Sequence, residues 1–582
     1  MATCLQPQSK PESCRAPFQI CLRRLLVRRR ESLLRLTGVL LFTSIASLAQ
    51  ILVAPPNREF NGYVGNEACA ACHLSVYNSY AKTSMAHASG PAADNFIPSD
   101  FLHKKSGVHY RVYKEDGKVW LSFERPNDPE AQGKRQLLYY IGSRRRGVSY
   151  LIAVDGFLFE SPVNWYADRH LWDMAPAYGN TSQIPLNLPA YTSCLRCHFS
   201  GVQAPIQGTE NRYPDPPFSS SGVTCEMCHG PGASHIKGGS IVNPAKLAPA
   251  LRDAVCMQCH LEGRVAIEQP GRDIRNFRSG QRLSDYIHYF VFADDQPSGL
   301  GAVSQFEALA ESVCQKKSGN AMACTSCHDP HYEPSATERA SYYRQKCLAC
   351  HGNKFAAGHH ADKPDCTTCH MASSLSRDIA HTEVTDHRIL RQAAVSPQLL
   401  EGANVEPTLP RLVRFPDVQK QEDDARDLAL AWETLVGRGM TAAAPQAERL
   451  TSVAIQKAPD DAALLSSLGY SAQKKGDMDR ARQLYEKALA IDSTLIDAAA
   501  NLGAIEASRG HLREAVRLWN QAFQRAPDQS PIGMNIARAL CAAGQVDGAR
   551  DSVLRVLEFN PDLQEAKDLL KRLNGGVPKC EH

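Results

Sequence analysis

Cys225-Glu226-Met227-Cys228-His229-Gly230-Pro231-Gly232-Ala233-Ser234-His235 opens with two cysteines three residues apart and a histidine directly after the second. The same C-x-x-C-H pattern occurs seven times in the 582 residues. Motif 1 is Cys69/Cys72/His73, motif 2 Cys194/Cys197/His198, motif 3 Cys225/Cys228/His229 and motif 4 Cys256/Cys259/His260. Motif 5 is Cys324/Cys327/His328, motif 6 Cys347/Cys350/His351 and motif 7 Cys366/Cys369/His370. Two thiols at this spacing add to the two vinyl groups of one porphyrin, and the following histidine is directed at the iron as proximal ligand. A zinc site uses such pairs in twos and gives no reason for a histidine after every pair. Exported disulfides would not require it either. The pattern therefore predicts seven covalently attached haems c, each with its iron. Of the twenty cysteines, only Cys4, Cys14, Cys21, Cys314, Cys541 and Cys580 remain, with no regular spacing to suggest a disulfide framework.

Each iron has a sixth position. Eleven histidines lie outside the motifs within the same region: His87, His103, His109, His170, His235, His288, His331, His359, His360, His381 and His387. His331, three residues beyond His328, and His235, six beyond His229, lead as distal ligands, followed by His381 and His387. His288, His359 and His360 come after them, because a surface or structural histidine is the ordinary reading. His103 and His109 fall in a β-rich stretch and are not expected to bind iron.

That stretch runs from about Val108 to Tyr166. Val108, Tyr110 and Val112 alternate with polar residues, Asp116-Gly117 intervenes, and Val119-Trp120-Leu121 follows. Asp-Gly between such runs signals a hairpin, and it recurs at Asp155-Gly156. A small antiparallel β insert is expected. The last third is periodic. Gly476, Gly510 and Gly544 stand 34 residues apart, as do Ala481, Ala515 and Ala549. With Gly469, Gly503, Tyr485, Trp519 and a closing proline, this period resembles the tetratricopeptide repeat. Each unit is a helix hairpin that must stack to bury its apolar face. Three good repeats follow a degenerate one over roughly 424–459, and they are expected to stack on each other and not on porphyrin.

Cys69 to His87 resembles the haem motif of the cytochrome c-554 group, in which an aromatic residue, a serine or threonine and a distal histidine follow. Tyr80 and Thr83 match the first two. The distal slot then falls on Met85, with His87 two residues further, so the resemblance implies a His/Met or a His/His first haem. The larger pattern resembles multihaem cytochromes fused to tetratricopeptide repeats. It comprises Ile141-Gly142-Ser143, Ser149-Tyr150-Leu151, Trp165-Tyr166, Trp172-Asp173-Met174 and His229-Gly230-Pro231-Gly232 with His235. It continues through His328-Asp329-Pro330-His331 and Thr385-Asp386-His387-Arg388, so it spans most of residues 60–390. The resemblance implies electron transfer without naming a reaction.

Hydrophobic content of 43% and charged content of 22% describe globular material. A net charge of +4 is too balanced to argue for nucleic acid as a partner. Arg23, Arg24, Arg28, Arg29, Arg30 and Arg35 precede an apolar run from Leu36 to Ala54, a basic n-region before an h-region. A cleaved signal peptide is the first reading, and an uncleaved membrane anchor at 36–54 the second. Either puts the chain beyond residue 55 outside the cytoplasm, in the periplasm or on the outer face of the cytoplasmic membrane.

The expected architecture is mainly α. Residues 1–54 are signal or anchor, 55–100 the first haem segment, 101–180 the β-rich insert and 181–391 a six-haem region packed around porphyrin. A linker at 392–423 leads to an α-solenoid at 424–575 and a tail at 576–582. The expected function is a periplasmic electron relay through seven haems, with the solenoid docking a redox partner protein. The alternative is a multihaem reductase or oxidase of a small nitrogen or sulfur oxyanion, with one open iron. No catalytic residue is marked by the sequence: Tyr150, Trp165 and His170 are more simply structural.

Overall fold

The computed structural model describes residues 62–575, apart from 294–299, 320, 359–364, 377–378, 380, 392–408 and 417–423. The expected signal or anchor at 1–54, the distal candidate His359, its neighbour His360, most of the expected linker and the tail lie outside the described residues.

The β region is larger than a small insert. Ten antiparallel strands between Ser89 and Pro189 form one sheet. Its hairpins turn where the Asp-Gly pairs predict: Asp116 and Gly117 have φ of 50° and 75°, Asp155 and Gly156 49° and 78°. Both central residues of a two-residue hairpin loop need φ > 0, and the right-handed twist of the strands selects that turn. Tyr110 pairs with Phe123 and Val112 with Leu121, and all four are buried. The longest strand, Asp128–Ile141, passes through Glu130-Ala131-Gln132-Gly133-Lys134-Arg135-Gln136, whose polar composition hides it in the sequence. Pairing with the neighbouring strand Lys118–Arg125 overrides local propensity there.

The segments carrying motifs 2 to 7 make short helices and small sheets. Helix Cys225–His229 stops at Gly230, whose φ of 74° suits glycine alone. Val265–Glu268, Ile287–Phe292 and Leu412–Phe415 form a three-stranded sheet. Its last strand belongs to the stretch read as linker, with Leu412 and Val413 buried.

The solenoid contains nine described helices, from Ala425–Gly437 to Gln564–Asn574. The degenerate first unit is a helix hairpin like the others, Ala425–Gly437 against Ala444–Lys457. Gly503 is required by packing: a Cβ there would stand 2.6 Å from Trp519 Nε1. Trp519 in turn donates to the Ala500 carbonyl at 2.9 Å. The repeats stack on one another, but they also pack on the strands that precede them in the chain. Trp432 and Leu435 of the first helix join Val265, Phe290 and Leu412 of the three-stranded sheet. At the other end Phe559 lies against Phe157 and Phe159 in the core of the ten-stranded sheet.

Candidate haem sites

Polar and thiol contacts join the seven motifs. The Cys225 amide donates to Asn66 Oδ1 at 2.9 Å, which unites motifs 1 and 3. Gln258 in motif 4 reaches the Met227 carbonyl of motif 3 at 3.5 Å. The Gln258 carbonyl receives Arg196 and the Cys197 thiol of motif 2, and Cys197 also meets Cys259. Cys324 lies near enough to Cys256 to raise its thiol pKa, which links motifs 4 and 5. Tyr343, four residues before Cys347, meets His328 Nδ1 at 3.2 Å and so connects motifs 5 and 6. Cys347 meets Cys366, and Arg344 approaches the Cys366 sulfur at 4.0 Å, which adds motif 7. All fourteen motif thiols are free.

Exposure differs among the motif residues, and Cys194 of motif 2 is exposed together with positions in motifs 1 and 6. Cys72 and Cys350, the second thiols of motifs 1 and 6, are exposed. Cys350 lies near enough to Cys327 of motif 5 to help raise its thiol pKa, behind the larger effect of burial. Cys369, the second thiol of motif 7, is half-buried and receives the neighbouring Thr368 hydroxyl at 3.9 Å. His351 is exposed too, in the helix Arg339–Gly358, where Gly352 turns the backbone directly after it with φ of 68°. An exposed thiol remains open to a vinyl group, so these positions fit the covalent role though not the buried setting.

Three motif histidines face a second histidine. His73 and His235 have ring centroids 6.3 Å apart and planes inclined by 9°. For His229 and His331 the values are 5.9 Å and 15°, and for His328 and His387 6.3 Å and 27°. A metal–imidazole bond of about 2 Å on each side of one ion sets two centroids roughly 6 Å apart, so these spacings suit an iron between each pair. The pairing crosses the chain in steps of two motifs. A histidine after motif 3 meets motif 1, one after motif 5 meets motif 3, and one after motif 7 meets motif 5.

Several of these rings are also oriented. Nδ1 of His229 bonds the Val242 carbonyl at 2.9 Å, His235 the Gly239 carbonyl at 3.0 Å and His387 the Thr385 carbonyl at 2.9 Å. His370 does the same with Leu390 at 2.7 Å. A carbonyl accepting from Nδ1–H leaves Nε2 as the lone-pair nitrogen for a metal. Burial, then the neighbouring His387, holds His328 down to about 4, and burial also lowers His198, His260, His331 and His387. These rings are held neutral, the form that ligates. Leu74 and Ile236, each next to a ring of the first pair, are 60% and 54% exposed, apolar surface of the kind a porphyrin covers. The residues fit haem.

The remaining candidates stand elsewhere. His87 is exposed and Met85 half-buried, and the ring opposite His73 is that of His235 instead. His288 binds Asp427 through Nδ1 at 2.7 Å and has Arg414 at 3.5 Å from Nε2, so both nitrogens are engaged. His381 places Nε2 2.8 Å from Asp173. His103 and His109 are held by Ser106 and Asp100 within the sheet. The buried Tyr150 hydroxyl donates to the Asn95 carbonyl at 2.9 Å, a packing role.

Two families match. The family of cytochrome c554 and c-prime covers residues 173–230, and the tetratricopeptide repeat covers residues 506–573. The multiheme cytochrome MtrA of Shewanella baltica (strain OS185) is 24% identical over 185 residues, 28% of this chain and 53% of MtrA. The chain is a c554-like cytochrome fused to tetratricopeptide repeats.

The fusion spans about half the length of MtrA. The CTR9 homolog of Arabidopsis thaliana is 32% identical over 94 residues, 16% of this chain and 8% of that protein. Among solved structures, MamA from Desulfovibrio magneticus RS-1 is 17% identical with a TM-score of 0.23, covering 26% of this chain and 84% of its own. The pilF protein of Pseudomonas aeruginosa is 23% identical with a TM-score of 0.23, covering 26% and 68%. The cytochrome assignment implies haem c and its iron as cofactor. Sequence reasoning about the fusion missed Glu226 and Gln258, the residues that tie neighbouring motifs together. Both sit at x positions inside C-x-x-C-H, where the pattern carries no information about them.

Proposed function

We propose that this cytochrome–repeat fusion is an exported electron-transfer protein that holds seven haems as one relay and meets a redox partner protein through its repeats. The observation that carries the reading is the network of contacts joining all seven motifs, with three histidine pairs laid across it. Haem c supplies a one-electron couple at its iron. The chain's own residues do the rest. The paired thiols would hold each ring by two bonds. His73 with His235, His229 with His331 and His328 with His387 would each give two imidazoles, a set that lies lower in potential than histidine with methionine. The carbonyls on Nδ1 fix ring direction, so little reorganisation accompanies a change of charge.

The repeats are protein-interaction modules with extended binding faces, and a protein partner follows from them. Export rests on the arginine-flanked apolar run at 36–54.

Three measurements test the proposal. Intact mass under denaturing conditions should show seven retained haems, and five or fewer after maturation in a competent host would sink it. Low-spin signals throughout, with no turnover of nitrite, hydroxylamine or tetrathionate above a free-haem control, are expected of a carrier. A high-spin fraction near one in seven, perturbed by such an anion, would hand the function to an oxyanion reductase or oxidase. A phosphatase fusion after residue 100 should be active, and an inactive one beside an active cytoplasmic reporter would reverse the orientation.

A further inference from the structure

Glu226 lies between the two thiols of motif 3 and is only 3% exposed, so its carboxylate needs partners. It finds them outside its own motif. Oε1 accepts from the Val64 amide at 2.9 Å and from the Gly232 amide at 2.8 Å. Oε2 accepts from the Gly65 amide at 2.9 Å and from Val64 at 3.1 Å. Three backbone donors thus converge on one side chain, and only an acceptor-only group satisfies all of them.

These donors come from the two segments that present the first histidine pair. Val64 and Gly65 precede the helix Asn66–Tyr80, which carries His73 and has no side-chain cap of its own at Gly65. Gly232 belongs to the turn that follows His229 and leads to His235. The Ala233 amide donates to the Gly62 carbonyl at 2.9 Å, a second stitch between the same segments. The junction is tight: a Cβ on Gly232 would stand 3.0 Å from Val64 Cγ2 and 3.1 Å from Glu226 Oε1.

We infer that Glu226 is a positioning residue for the first haem: by clamping the 62–65 and 230–235 segments together it sets His235 opposite His73. The inference rests on the reading of His73 and His235 as one iron's two ligands. It gives motif 3 a second duty, since the peptide that attaches one haem also aligns the ligands of another. It further explains why the ring facing His73 comes from beyond motif 3 and not from Met85 or His87 in its own segment.

The test compares full-length, haem-loaded variants by mass, EPR and redox titration. Glu226→Gln preserves shape but turns an amide N–H₂ toward at least one backbone N–H. It should keep all seven haems attached and shift or remove one of the seven low-spin signals, the one lost in His235→Ala. The double variant should match His235→Ala alone, because two changes acting through one geometry are not additive. If Glu226→Gln yields too little holoprotein, Gly232→Ala tests the same clamp by pressing on the carboxylate, and should move the same signal. Seven wild-type signals and potentials in these clamp variants, beside a lost signal in His235→Ala, would overturn the clamp. No change in His235→Ala would overturn the ligand pair beneath it.

Discussion

Arg125 and Asp562, 437 residues apart, form a bidentate pair in which Nη2 meets Oδ2 at 2.7 Å and Nη1 meets Oδ1 at 3.1 Å. The Ile184 amide adds a bond to Oδ2 at 3.2 Å, and only 7% of the Asp562 side chain is exposed. This contact, beside Phe559 in the sheet core, makes the last turns of the solenoid part of the β domain. Arg125→Ala leaves the buried Asp562 carboxylate with Lys567, at 3.5 Å, as its remaining cation and should cost about 3 kcal/mol in chemical denaturation. Arg125→Met with Asp562→Leu, which removes this pair but leaves Lys567 without its carboxylate, should recover part of that loss. Equal stability of single and double variants would show that the pair is solvated and contributes little.

Removal of residues 424–575 now carries a different expectation from that of a detachable repeat array. It strips Phe559 from Phe157 and Phe159 and uncovers the three-stranded sheet at Val265, Phe290 and Leu412. Phe559→Ala alone should cost about 3–5 kcal/mol. The truncated protein should aggregate or bind an apolar dye, whereas a truncation as soluble and as thermostable as the full chain would contradict the packing.

The distal assignments predict potentials. His387→Met exchanges an imidazole opposite His328 for a thioether and should raise one midpoint potential, with the other six close to wild type. Redox titration with a methionine-to-iron charge-transfer band as the marker reads this out. Met85→Ala should leave every band unchanged. The reverse outcome would return Met85 to the first haem.

Asp528 gives a pH dependence. Burial, with Glu210 nearby, pushes its carboxyl up to about 6 from 3.8. A raised carboxyl pKa means that the folded state holds the proton more tightly. Folding is therefore penalised as pH rises from about 4 through 6, and the penalty is complete above that. Asp528→Asn should be more stable than wild type by about 2 kcal/mol at pH 7 and no different at pH 4. A gain independent of pH would mean that ionisation is not its source.

Gly503→Ala tests the solenoid. The added methyl meets Trp519 at 2.6 Å, so the helices must part, at a cost of about 1–3 kcal/mol. Thermal unfolding of the full chain should show it, and an unchanged Tm would mean that the hairpin is looser than its geometry.

The C-x-x-C-H pattern, the Asp-Gly turns and the 34-residue period were readable in the chain because each is a local rule. Thiol spacing is set by one porphyrin, turn residues by backbone φ, and repeat length by one helix hairpin. From these the haem motifs, two hairpins and the solenoid followed without coordinates. Tertiary structure decided which histidine faces which, and which motif residues are buried. His235 meets His73 across 162 residues because Glu226 and the Gly62 carbonyl stitch two distant loops, while Met85 and His87, near in sequence, do not meet that ring. Cys350 and His351 read the same as Cys228 and His229 in the pattern, yet the first two are exposed and the second two half-buried. His288 and His381 are the same residue type as His235, yet carboxylates brought by Asp427 and Asp173 claim them. The sheet outgrew its expected bounds for the same reason, as its polar strand is held by neighbours on either side. An imidazole's role is set by what the fold places within about 3 Å of its two nitrogens, a distance sequence spacing does not encode.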